Sequence, residues 1–135
     1  MFCAEAGNNF AITLNNKMMD SLKQNITELT NMILQGRTLE AFDKFYHDDV
    51  IMQENDAPPM VGKPANRLRE QEFHSSVINF RREEPLEIAV GDSVTMVKWA
   101  YDFTHKEWGD RKYTQVSVQH WKDGKIIKEQ FFYGS

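Results

Sequence analysis

Apolar positions recur at helical spacing over the first third of the chain. Met18, Leu22, Ile26, Leu29 and Ile33 are three or four residues apart and share one helix face. Gly36 ends that helix, because glycine tolerates the left-handed conformation past a helix end. Thr38 is placed to cap a second helix, with Glu40 in its first turn and Leu39, Phe42, Phe45 and Tyr46 as its apolar stripe. His47-Asp48-Asp49 closes it. Val50 to Glu54 reads as a short strand, with Val50, Met52 and Glu54 facing one way. Pro58-Pro59 forces an extended loop, and Gly62-Lys63-Pro64 opens a third helix. Leu68, Phe73 and Val77 give that helix a weaker stripe, reaching about Asn79.

After Pro85 the period changes to two. Leu86, Ile88 and Val90 alternate, and Gly91-Asp92 makes a turn. A strand from Ser93 to about Thr104 puts Val97, Trp99, Tyr101 and Phe103 on one face. A polar loop from His105 to Arg111 leads to a strand from Tyr113 to Trp121. Asp123-Gly124 is a hairpin turn, and Ile126 to Tyr133 is the closing strand. Helices first and strands afterwards predict an α+β fold with a mainly antiparallel sheet.

A length of 135 residues fits one domain with a short tail. Residues 1–16 are polar and read as a poorly structured N-terminal extension ahead of a domain at 17–135. They lack the cationic start and apolar stretch of a secretory signal, so a cytoplasmic location is the default. The net charge of -4 argues against a broad basic surface for nucleic acid. No apolar run approaches the roughly 20 residues of a membrane helix. Cys3 is the only cysteine, which excludes an intrachain disulfide and a zinc site built from several thiolates. His47, His74, His105 and His120 show no metal-ligand spacing, and no glycine-rich phosphate cradle is present, so neither metal nor cofactor is expected. Lys63, Arg67, Arg69, Arg81 and Arg82 alternate with Glu70, Glu72, Glu83 and Glu84, which reads as a salt-laced surface.

Three early segments stand in a telling order: Gly36-Arg37-Thr38-Leu39-Glu40-Ala41-Phe42, Phe45-Tyr46-His47-Asp48-Asp49-Val50 and Ala57-Pro58-Pro59-Met60-Val61-Gly62. Trp121-Lys122-Asp123-Gly124-Lys125-Ile126-Ile127 follows late in the chain. Together they resemble the nuclear-transport-factor-2-like superfamily, and within it the SnoaL-like branch. The resemblance implies three helices packed in a strongly curved sheet, a cone with an apolar pocket, often as a homodimer. Similar proteins include ketosteroid isomerases, polyketide cyclases, dehydratases, epoxide hydrolases and non-catalytic binding domains, so function has to come from the site.

By that resemblance Glu54 falls where ketosteroid isomerases carry their general base. If the face it shares with Val50 and Met52 is the pocket, an apolar wall would raise its pKa. The alternative is a solvated glutamate at a strand end. The isomerase's helix tyrosine corresponds to about Leu29 and its protonated acid to about Ser117. Neither is a strong donor, which argues against steroid isomerisation. The terminal Phe131-Phe132-Tyr133-Gly134-Ser135 lacks the acid many relatives have there.

Trp99, Tyr101, Tyr113, Ser117, Gln119, Glu129 and Tyr133 alternate onto faces that would line the pocket and hold a hydrophobic, oxygen-bearing ligand. The alternative places these aromatics in the core or a dimer interface. Glu129 is a second candidate acid. Glutamate is seldom fully buried, so a surface place beside Lys128 or Lys112 is expected for it. His74 would reach the pocket mouth, and His120 the opposite face. The loop around Trp108 is a lid or a solvated connection. The sequence thus predicts a small-molecule-binding protein. An acid/base lyase, isomerase or cyclase activity stands open against a non-catalytic ligand-binding or dimeric interaction module. A homodimer would pack through the outer sheet face around Val116 and Val118.

Overall fold

Three helices come first along the chain, with two strands set among them, and the long strands follow. A computed structural model describes residues 2–134, with side chains from Asn16 onward. The order is α1 (Phe2–Leu34), α2 (Thr38–Phe45), β1 (Tyr46–Glu54), β2 (Met60–Val61), α3 (Lys63–Ser76), β3 (Val77–Val90), β4 (Val94–His105), β5 (Gly109–Lys122) and β6 (Lys125–Tyr133). The six strands form one sheet in the order β2-β1-β6-β5-β4-β3. Only β1 and β6 pair in parallel. The fold is α+β, with the helices packed against the inner face of a mainly antiparallel sheet.

On α1 the predicted stripe is the buried one: Leu22, Ile26 and Leu29, joined by Met32, enter the core. Met18 is 49% exposed, one turn short of the core. Helical backbone extends back to Phe2, upstream of the expected domain start. Gly36 takes a φ of 76°, as the helix end requires. Thr38 does not cap α2. The Arg37 carbonyl accepts the first helical bond, from the Ala41 N–H, so Arg37 is the N-cap and no side chain assists it.

Two boundaries shift from the sequence expectation. Tyr46 is already extended and pairs with Ile126, so His47, Asp48 and Asp49 belong to β1 and do not close a helix. Helix α3 stops at Ser76, and β3 begins at Val77, well before Leu86. This edge strand changes register at three places, and each change breaks the alternation that a period-two reading needs. Pro85 sits at one of them, where an edge strand tolerates a missing N–H. On α3 the buried side chain is Asn66, while Leu68 is exposed. The Asn66 Nδ2 donates to the carbonyls of Met60, at 3.0 Å, and Gly62, at 2.8 Å, tying the helix start to β2.

Register fixes what faces the helices, because directly paired residues point to the same side. One inner row reads Val90, Thr95, Gln119, Glu129 and Met52 across β3, β4, β5, β6 and β1. The next holds Ile88, Val97, Ser117, Phe131 and Glu54. Then come Pro85, Trp99, Gln115 and Tyr133, followed by Glu83, Tyr101 and Tyr113. The core cluster joins Ile26, Phe42 and Phe45 from the helices with Val50, Met52 and Ile126 from the sheet. Burying each such side chain is worth about 1.5–3 kcal/mol.

Candidate functional site

The later rows stand clear of the helices and enclose a cavity of about 730 Å³. Trp99, Tyr101, Tyr113 and Tyr133 form one wall, and Phe42, Phe73 and Leu29 face them. Tyr101 stacks near Trp99, with centroids 5.8 Å apart, and Tyr113 bridges Tyr101 and Tyr133 at 5.6 and 5.3 Å. Of the residues expected at the site, Glu54, Trp99, Tyr101, Tyr113, Ser117, Glu129 and Tyr133 line this space.

Gln119 is absent from the lining. It is buried behind Glu129 in a directed hydrogen-bond chain. Trp121 Nε1 has only a proton to give, and donates to Thr95 Oγ1 at 2.8 Å. The Thr95 hydroxyl then donates to Gln119 Oε1 at 2.7 Å. That fixes the amide orientation, so Gln119 Nε2 donates to Ser117 Oγ at 3.0 Å and to Glu129 Oε2 at 2.7 Å. Tyr46 Oη donates to the other oxygen, Oε1.

Glu129 is therefore not the surface glutamate that the sequence suggests. It is 4% exposed and has no Lys128 or Lys112 ion pair. A shift of register between His120 and Trp121 puts it on the same face as Ile126. Burial raises its pKa, and the Tyr46 and Gln119 hydrogen bonds oppose that rise. The closing strand thus does bring an acid into the cavity, two residues before Phe131.

Glu54 lies on the rim of the cavity and is exposed. Val50 and Met52, its face-mates, are buried in the core, but the strand end carries Glu54 past them. The apolar surround expected for it is not there. Its neighbour is Tyr133, whose pKa is raised by burial and then by the Glu54 carboxylate.

Two further carboxylates face inward that the sequence assigns to the surface. Burial, followed by the field of Glu129, pushes the Glu70 carboxyl up to about 7. Burial alone brings Glu83 to about 7 as well. Several other members of that charged segment do pair outward: Arg67 with Asp43, Arg81 with Asp102 and Arg82 with Glu84. Glu70 was legible in principle, since it shares a helix face with Phe73 and His74. Glu83 was not, because its place opposite Tyr101 depends on the shifted register of β3.

His74 is at the cavity, as expected, and burial lowers its pKa. The stretch from His105 to Arg111 is mostly strand, not loop. Only Lys106, Glu107 and Trp108 turn between β4 and β5. His105 is buried, stacked on Trp108 with centroids 3.8 Å apart, and its Nδ1 accepts the N–H groups of Glu107 and Trp108. Among the described residues no three His, Cys, Asp or Glu side chains gather as a metal set, and no helix is long and apolar enough to cross a membrane.

No curated protein matches this sequence. Solved structures share the fold at low identity. A candidate SnoaL-like polyketide cyclase from Mesorhizobium loti superposes with a TM-score of 0.75 at 23% identity, covering 83% of this chain and 98% of that one. A nuclear-transport-factor-2-like protein of unknown function from Burkholderia pseudomallei gives 0.72 at 13%, covering 84% and 91%. A candidate SnoaL-like polyketide cyclase from Jannaschia gives 0.74 at 7%, covering 86% and 87%. The sequence model of the SnoaL-like domain matches residues 21–133, from the first core turn of α1 to the end of β6, and the chain belongs to that family.

Proposed function

We propose that the protein binds a small hydrophobic, oxygen-bearing molecule in the cone and moves a proton on it, as an acid/base lyase, isomerase or cyclase does. The observation that carries this reading is Glu70, a carboxyl facing an aromatic cavity and titrating at about 7. A group half-loaded near neutral pH gives and takes protons with little loss of driving force. Glu129 has both oxygens engaged by donors, which leaves proton transfer to Glu70. The Tyr101 phenol, its pKa held well up by burial, stays protonated and is a donor for a substrate oxygen.

A second reading gives the base role to Glu54, favoured by its place on the lining beside Tyr133. Exchange of carbon-bound protons in heavy water, followed by NMR over a panel of cyclic ketones and 1,3-diketones, separates the two. Glu70→Gln should slow exchange about 100-fold, the usual scale for general-base loss, and Glu54→Gln far less. The reverse order would give the base to Glu54. Binding without any exchange in the unaltered protein would make the cone a non-catalytic binding module.

For the assembly we propose a homodimer through the outer sheet face. Met96 pairs with Val118, and Val116 with Phe132, so these four side chains form one patch. Met96 and Phe132 are each 43% exposed on the lone chain. Apolar patches of this kind mark interaction surfaces.

A further inference from the structure

Glu70 from α3, Glu83 from β3 and Glu129 from β6 all line the cavity, with Glu83 opposite Tyr101; Arg69, Lys106 and Arg111 line it too. Glu70 lies in the field of Glu129, Glu54 and Glu83, and the Tyr101 phenol in that of Glu83, Glu70 and Glu129. Among the described residues none of the three carboxylates forms an ion pair with lysine or arginine. Among the described residues, Arg69 is the cation whose field acts on Glu70. Arg69 and Arg111 act on Tyr133 at the mouth, where Glu54 balances them. His74 Nε2 lies 3.9 Å from Glu70, but burial keeps that imidazole neutral at pH 7. The opening is therefore mixed in charge and the interior is acidic. Beside the carboxylates stand the ring faces of Trp99, Tyr101 and Tyr113, and such faces attract cations.

We propose that the acidic part of the cavity is a site for an organic ammonium ion, a protonated amine on a hydrophobic body. Its charged head sits by Glu70 and Glu83 beside the Tyr101 ring, within the field of Glu129. The proposal rests on reading the cavity as a small-molecule site and adds the charge class of the ligand. Three carboxylates sharing a poorly hydrated space cannot all ionise alone, and an ammonium among them restores the balance. Binding then drives protons off Glu70 and Glu83. Affinity rises with pH while those groups ionise, then levels off. Burial lowers the His74 pKa, and Tyr46 and Tyr101, their pKa values held up by burial, stay protonated.

The test uses one skeleton in three charge states: 4-phenylbutylamine, 4-phenylbutan-1-ol and 4-phenylbutyrate. Calorimetry gives affinity, and ring resonances of Tyr101 and Tyr113 report the site. The amine should bind at least about tenfold tighter than the alcohol, with the acid weakest, and its affinity should rise from about pH 6 to about pH 8. Glu70→Gln/Glu83→Gln should abolish the preference while leaving alcohol binding in place. Equal or tighter binding of the alcohol, or a preference that survives the double substitution, would overturn the cationic class and leave the cavity reading intact. If no probe shifts the ring resonances, both fall.

Discussion

Glu70→Gln should stabilise the fold above neutral pH and leave it unchanged near pH 4. The folded-state carboxyl titrates at about 7 against an ordinary 4.5, chiefly from burial, then from the Glu129 field, with Arg69 pulling the other way. Between those two values the folded state holds the proton more tightly than the unfolded chain. Stability is therefore lost as pH rises through the interval, and the loss is complete above it. The distance between the two values is worth about 3 kcal/mol. The Glu70 side chain is 25% exposed, and allowing for water at the cavity edge leaves about 2 kcal/mol. Glutamine has nearly the same shape and no charge to desolvate. Urea unfolding followed by circular dichroism at pH 4.5 and pH 8.5 measures both states. The variant should gain about 2 kcal/mol at the higher pH, roughly 5–8 °C in melting temperature for a domain of this size, and nothing at the lower. A variant less stable at pH 8.5 would mean that the native carboxylate has a compensating partner, and a gain equal at both pH values would remove the charge from the explanation. A residue that costs the fold stability at working pH is the mark of a functional position.

Three other outcomes follow from the same geometry. Tyr46→Phe leaves one Glu129 oxygen without a donor and should cost about 2 kcal/mol in urea unfolding, with a smaller deficit in acid where Glu129 is protonated; a deficit that does not depend on pH would point to packing alone. Asn66→Ala strips the Met60 and Gly62 carbonyls of their shared donor, and thermal denaturation should register a loss of about 2 kcal/mol, whereas a near-neutral result would mean that water replaces the amide. Met96→Lys puts a charge into the outer patch; sedimentation should show a dimer for the unaltered chain and a monomer for the variant, and an unaltered chain that is itself monomeric at micromolar concentration would end the dimer proposal.

Local pattern determined much of this architecture. The α1 stripe from Leu22 to Leu29, the Gly36 stop, the alternation through β4 and β5 and the Asp123-Gly124 turn each depend on residues a few positions apart, and these stand as read. Such signals are carried by backbone geometry and one buried face, which neighbouring residues specify by themselves. What tertiary structure decided lies where distant segments meet. The extended start of β1 at Tyr46 follows from pairing with Ile126, 80 residues later, and the early start of β3 follows from the β4 edge it adds to. The site divides the same way. Strand alternation was enough to put Trp99, Tyr101, Tyr113 and Tyr133 on the cavity wall. Alternation put Glu129 on the face of Phe131 and Tyr133, and helical spacing put Glu70 beside Phe73 and His74, but the inward place of Glu83 was set by register shifts in β3 that leave no periodic trace. Charge alone sends Glu70, Glu83 and Glu129 to water. Only the closed wall of aromatic rings and the directed chain from Trp121 to Glu129 hold them inside.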